Sequence, residues 1–247
     1  MAPANFDRRK TIRKTWARDP SMTIRWKTMF LLGQTTENST RKKLEAEGLM
    51  YGDFIRGTQI DKYYNLTLKM QMGLEWAEKY CDFQFLLKVD DDVFVNTYRL
   101  VDYLGNPDTP KTSLYLGRVV HNGVPHRSGK YGVSEEEYNK TKYPDFCCGP
   151  GYVLSSDLVH KLVELFDVKK PLKLEDVYIA TLVEKVGVKA VLHRGFHLLD
   201  FGKCKHYSTT VVYHEASIQC LEELFNQTMK ARVEHELTKL KMRDSVT

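Results

Sequence analysis

The sequence contains no apolar run approaching the eighteen or so residues of a membrane span, and nothing at its start resembles a secretory leader. It lacks the cysteine and histidine spacings of zinc modules, which argues against a structural zinc site. It has no glycine-rich loop ending in lysine, which argues against a nucleotidyl- or phosphotransferase built on such a loop. Internal repeats, low-complexity tracts and linkers are also missing, so the 247 residues read as one domain with a substantial core. Neither sign of charge dominates: 37 Lys+Arg against 32 Asp+Glu leave +5, too mild for nucleic acid without a concentrated basic patch. Arg8, Arg9, Lys10, Arg13, Lys14 and Arg18 are interleaved with apolar residues in helical order, which points to a helix face or a diphosphate contact.

What is present begins with four Asn-x-Ser/Thr sequons, at Asn38, Asn65, Asn139 and Asn226. The five cysteines, Cys81, Cys147, Cys148, Cys204 and Cys220, permit up to two disulfides with one thiol left over, or five buried thiols. Cys81 with Cys147 or Cys148 is one candidate pairing. A luminal domain separated from its membrane anchor accounts for sequons and cysteines together.

Apolar periodicity places helices over Phe6–Trp16, Arg41–Met50, Tyr64–Tyr80, Ser156–Phe166, Leu174–Val186 and Ser217–Lys241. Strands are expected over Trp26–Gly33, Gly52–Arg56, Phe85–Val89, Leu114–Val120, Ala190–Leu192 and Thr210–Tyr213. Between them, residues 121–142 read as a polar loop with a short hairpin, and Gly149-Pro150-Gly151 as a turn feeding a strand. The alternation predicts an α/β fold with a mixed, mostly parallel sheet flanked by helices.

The organising stretch is Phe85-Leu86-Leu87-Lys88-Val89-Asp90-Asp91-Asp92-Val93-Phe94-Val95-Asn96. Three consecutive carboxylates between two apolar runs do not belong inside a strand, because buried ionised carboxylates need a partner or a cation. They fit the open end of a buried strand, where α/β sheets present ligands, and their hard oxygens suit Mg²⁺ or Mn²⁺ together with phosphate. A solvated acidic turn is the plainer alternative. Glu175 and Asp176 follow Lys173-Leu174 at a helix start, where acids complement the dipole; beside a metal site such a carboxylate is also a candidate general base. His214, just past a strand, is either structural or an imidazole ligand.

These blocks carry a resemblance. Arg9-Lys10-Thr11-Ile12-Arg13-Lys14-Thr15-Trp16, Phe30-Leu31-Leu32-Gly33, Tyr63-Tyr64-Asn65-Leu66-Thr67-Leu68-Lys69, Lys88 to Asn96, Tyr143 to Ser155 and Leu174-Glu175-Asp176-Val177 occur in series. In this order they resemble the Golgi β-1,3-glycosyltransferase family of galactosyl- and N-acetylglucosaminyltransferases. The resemblance implies a GT-A fold and an inverting, Mn²⁺-dependent transfer from a UDP-sugar donor to a hydroxyl of a glycan acceptor on glycoprotein or glycolipid. It also implies the Golgi lumen and a type II membrane protein, of which this chain would be the catalytic domain. The donor-binding half would span about residues 8–120 and the acceptor half about 121–247.

By position, the resemblance makes Asp92, Asp90 and His214 metal ligands and Asp176 the catalytic base. Arg13, Lys69, Asp90, Asp91 and Glu175 become donor contacts. Thr58-Gln59 stand where many relatives carry an acidic-aromatic pair, and Cys148 and Pro150 where small residues are commoner. The donor is therefore open between UDP-galactose, which is favoured, and UDP-N-acetylglucosamine or UDP-N-acetylgalactosamine. A non-catalytic folding partner or lectin-like relative is the rival of another class, and the intact acidic residues argue against it.

Overall fold

The computed structural model describes residues 1–18, 26–167, 169–198 and 203–244. The chain runs α1 (Phe6–Lys14), β1 (Phe30–Gln34), α2 (Asn38–Tyr51), β2 (Phe54–Ile60), α3 (Leu66–Tyr80) and β3 (Phe85–Val89). It continues with β4 (Phe94–Val95), α4 (Thr97–Gly105), β5 (Tyr115–Val120), β6 (Phe146–Ser155), α5 (Ser156–Leu165) and α6 (Glu175–Lys185). The last elements are β7 (Ala190–Leu192), β8 (Phe196–His197), β9 (Val212–Tyr213) and α7 (Ile218–Asp244).

The α/β class and a mixed sheet are what the alternation predicts, but the strand directions are more balanced. β1 pairs with β2 in parallel. The four-stranded sheet has the order β3-β6-β5-β7, with β6 antiparallel to both neighbours and β7 parallel to β5. A third sheet, β4-β9-β8, joins one antiparallel and one parallel pair. Parallel and antiparallel pairings are thus equal in number among the described residues, because β6 enters the centre of its sheet against the run of β3 and β5.

Strand β6 also corrects the expected Gly-Pro turn: Gly149, Pro150 and Gly151 lie within it. Proline lacks the N–H that a central strand needs, so it survives where the ladder is interrupted. The β5 register slips there, from Gly117 opposite Tyr152 to Val119 opposite Cys147. A side chain on Gly117 would place its Cβ 3.0 Å from Cys147 Cβ and 3.2 Å from the Gly151 carbonyl, so the bulge closes only over a glycine. The hairpin expected within 121–142 does not form; no strand is described there. Instead the Arg127 guanidinium donates to the carbonyls of Val133 and Tyr138 and pins the loop.

Alternation along β5 and β6 separates two cores. Leu116 and Val153 face one with Ile12, Phe94 and Leu221, whereas Tyr115, Tyr152 and Leu154 face the other with Leu74, Leu158 and Ile179. The cysteine expectation is also revised. Cys204 and Cys220 form a disulfide that ties the segment before β9 to α7, while Cys81, Cys147 and Cys148 are free thiols. Cys81 lies at the end of α3 and Cys147 is buried in β6. Asn38, Asn139 and Asn226 are exposed and Asn65, half-buried, donates to the Ile60 carbonyl, while the sequon threonines Thr40, Thr67 and Thr228 are buried. Among the described residues no helix is long and apolar enough to cross a membrane.

Helix α1 is fixed to α2 by charge. Arg9, whose side chain is fully buried, donates to both Glu47 oxygens at 2.9 and 2.6 Å, and Arg13 adds a third bond at 2.6 Å. Burial would raise the Glu47 pKa, but the two guanidiniums hold it below the ordinary carboxylate range. Removing this carboxylate strands a buried cation. Glu47→Gln is expected to cost about 3 kcal/mol in urea unfolding at neutral pH. Because the folded pKa is depressed, that difference is full above the unfolded value of about 4.3 and closes as acid protonates Glu47 in the folded state. Urea titrations of both proteins from pH 7 to pH 3 check it.

Candidate active site

Strand β3 ends at Val89, and Asp90, Asp91 and Asp92 form the turn into β4. Three separate segments hold this turn. The Asp90 N–H donates to the Pro150 carbonyl at 3.1 Å, so the bulge in β6 anchors its first residue. Arg8 of α1 donates to the Asp91 carbonyl at 3.1 Å and to the Ala216 carbonyl at 2.8 Å. The Ala216 N–H in turn donates to the Asp92 carbonyl at 2.8 Å.

With the backbone fixed, the three carboxylates diverge. Asp91 accepts from the Asn5 amide at 2.6 Å. Asp90 pairs with Lys88 Nζ at 2.9 Å. Asp92 Oδ2 faces His214 Nε2 at 3.6 Å, too far for a hydrogen bond. The other imidazole nitrogen, Nδ1, lies 3.3 Å from the Leu198 carbonyl, which can only accept, so Nδ1 carries the proton. In the neutral ring Nε2 then turns a lone pair toward a carboxylate. Two acceptors facing each other call for a cation or a proton between them, and a carboxylate with an imidazole suits a manganese-like ion. Burial raises the Asp92 pKa, with Asp90 and Asp91 adding to the effect and His214 opposing it.

Asp90 is the third ligand that the resemblance implies. Asp90 is turned to Lys88, and among the described residues no three His, Cys, Asp or Glu side chains converge on one point. A divalent ion bound through one or two protein groups plus substrate phosphate needs no protein cage.

Glu175 and Asp176 begin α6 beside this turn. The Asp176 carboxylate accepts from the Gly149 N–H at 3.0 Å and from the Val177 N–H at 2.9 Å. Burial pushes its pKa above the ordinary value, and Lys88 and these two N–H groups pull against that. The result is an ionisable carboxylate, held by backbone amides, close to the acidic turn.

The profile of the Galactosyltransferase family matches residues 7–194. Over 227 residues the chain is 31% identical to "Beta-1,3-galactosyltransferase 1" of Mus musculus and of Homo sapiens, covering 90% of this chain and 69% of each relative. Over 185 residues it is 35% identical to "Beta-1,3-galactosyltransferase 5" of Pan troglodytes, covering 73% of this chain and 62% of the relative. The chain is a glycosyltransferase of the β-1,3-galactosyltransferase family. A solved glycosyltransferase involved in glycosylating the major capsid of PBCV-1 overlaps 77% of this chain and 96% of its own, at 14% identity. Its TM-score of 0.37 is too low to carry an argument.

Three residues expected to contact the donor of this glycosyltransferase, Arg13, Lys69 and Glu175, are paired within the fold. Arg13 spends its guanidinium on Asp53, at 2.7 and 2.9 Å, and on Glu47, with its plane 3.9 Å from the Tyr51 ring centre. Lys69 is buried and paired with Asp61 at 2.5 Å, and Asp61 also accepts from the Gly33 N–H at the end of β1. Glu175 is turned inward, accepting from the Tyr152 hydroxyl and pairing with Lys88 at 3.1 Å. In each case a buried charge has found its counter-charge within the fold.

Sequence reading passed over Lys88 and Tyr152. They are cross-strand partners in β3 and β6, and the signal was a lone lysine at an interior strand position two residues before the acids. Burial would lower the Lys88 pKa, but Asp90 and Glu175 raise it above its usual value. Tyr152→Phe removes a donor from the desolvated Glu175 carboxylate and is expected to cost about 2 kcal/mol. Thermal and urea unfolding of the two proteins measure the loss.

Proposed function

We propose that this enzyme transfers galactose from UDP-galactose to the 3-hydroxyl of a terminal sugar on a glycan, inverting the anomeric centre, within a GT-A fold. The observation that carries the reading is the half-buried Asp176 carboxylate, held by two backbone N–H groups and close enough to Asp90 of the acidic turn to feel its charge, in a chain whose turn also sets Asp92 opposite His214. The names of the relatives at 31–35% identity support galactose and the β-1,3 linkage.

In the reaction the acceptor oxygen bonds to the anomeric carbon as the bond from that carbon to the diphosphate oxygen breaks. The electron pair of the broken bond leaves with UDP. Asp176 takes the hydroxyl proton, as the base of an inverting glycosidase does. A raised pKa makes its carboxylate form a better proton acceptor. The leaving group is already a diphosphate, so no general acid is needed. Asp92 and His214 would hold a divalent ion such as Mn²⁺, which when bound neutralises charge on the departing diphosphate. The disulfide and the exposed sequons support an oxidising lumen, which we assign to the Golgi.

Asp176→Asn is expected to keep UDP binding and abolish transfer. Asp92→Ala, or removal of the ion by a chelator, is expected to abolish metal-dependent UDP binding. The kcat of the wild-type enzyme is expected to rise with pH along an acid limb whose midpoint lies above the ordinary Asp value of about 3.9, because only the carboxylate form takes the proton. UDP release from a panel of UDP-sugars with Mn²⁺ and simple galactosides or N-acetylglucosaminides, followed by linkage analysis of the product, tests donor and bond together. Wild-type turnover by Asp176→Asn would remove the base assignment, and selective use of another UDP-sugar would replace galactose.

A further inference from the structure

Lys88 sits within a strand, yet its ammonium joins the acidic turn, the start of α6 and the β6 segment that holds Asp176. Its ammonium has three N–H donors. They are matched by three acceptors from three elements: Asp90 Oδ1 at 2.9 Å, Glu175 Oε2 at 3.1 Å and the Gly149 carbonyl. Gly149 is therefore held at both of its polar atoms, since its N–H donates to Asp176 Oδ2 at 3.0 Å. The approach is close: a Cβ on Gly149 would stand 3.2 Å from Asp176 Oδ2. The side chain of Lys88 is only 14% exposed, and that of Glu175 7%. Water therefore does little of this work.

We infer that Lys88 is the positioning residue of the base: by clamping the Gly149 carbonyl between Asp90 and Glu175, it fixes the backbone N–H that aims the Asp176 carboxylate at the acceptor. This inference rests on the assignment of Asp176 as the base. Lys88 itself touches neither the reacting hydroxyl nor the anomeric carbon. It also pairs with Asp90, while Asp92 faces His214 instead. A misplacement of about 1 Å at a reacting group can cost on the order of a hundredfold in rate without any loss of binding.

The test is a steady-state comparison of wild type, Lys88→Met, Lys88→Arg, Gly149→Ala and Asp176→Asn, using UDP-galactose, Mn²⁺ and the acceptor glycoside that wild type uses. UDP binding by calorimetry and the thermal midpoint are measured on the same samples. Lys88→Met is expected to lower kcat by on the order of a hundredfold while UDP affinity stays within about threefold. Lys88→Arg, which keeps a cationic donor, is expected to recover a large part of that loss. Gly149→Ala leaves the buried charges in place and displaces the same carboxylate. It is expected to reproduce the kcat loss at unchanged UDP affinity, and it carries the test if Lys88→Met does not fold. A folded Lys88→Met or Gly149→Ala with wild-type kcat overturns the inference, as does a fall in kcat matched by an equal fall in UDP affinity. If Asp176→Asn is inactive while these variants are unimpaired, only the role of Lys88 fails. Wild-type transfer by Asp176→Asn overturns the base assignment and this inference together.

Discussion

Like charges gathered in a cleft repel one another, and the arrangement of this site follows from how that repulsion is managed. Burial raises the pKa values of Asp92, Glu175 and Asp176, and the nearby charge of Asp90 adds to the effect at all three. The fold answers by spreading the five carboxylates over four kinds of partner. Asp90 and Glu175 share an ammonium, Asp91 takes a side-chain amide, Asp176 takes backbone N–H groups and Asp92 faces an imidazole. The last pairing, with Nδ1 of His214 turned to a carbonyl, sets an acceptor opposite an acceptor, an arrangement that a cation or a proton between them would satisfy. Chemical role is thus assigned by neighbour rather than by residue type.

The geometry behind this depends on segments far apart in sequence. Arg8 of α1 reaches the acidic turn and the residue before α7 at once, and α1 is itself fixed by the Arg9–Glu47 and Arg13–Asp53 pairs to α2 and the start of β2. The disulfide closes the far side by joining the segment before β9 to α7. Residues 5 to 13 thus brace a site whose chemical groups lie between Lys88 and His214. Such bracing from a remote rigid element is what holds a reactive group to within a fraction of an ångström.

Much of this was legible in the chain. The acidic turn after an apolar strand, the acids at the start of α6 and the helical periodicity of α3 and α5 are local signals, and the structure places those elements within a few residues of expectation. What was not legible is non-local. Helix α4 was passed over although Asn96, whose side chain accepts from the Arg99 N–H, marks its start. The direction of β6 cannot be read from apolar residues, which look alike in parallel and antiparallel company. Gly149-Pro150-Gly151 carries the composition of a turn, and only the slipped register of β5 makes a strand of it. Arg13 and Lys69 carry charge suited to phosphate, but charge alone does not disclose that Asp53, Glu47 and Asp61 reach them first.

The Gly149–Pro150 pair joins two requirements that usually conflict. Close approach to the Asp176 carboxylate demands a residue without a side chain, and such a residue is ordinarily the loosest link in a backbone. A following proline restricts its predecessor to extended conformations, so the freedom that glycine brings is withdrawn by its neighbour. The entropy of ordering this backbone is therefore lost once, when the chain folds, and not again each time an acceptor binds. A carboxylate that accepts from such a segment is held in place before any ligand arrives, and the energy of ligand binding would remain available for orienting the ligand.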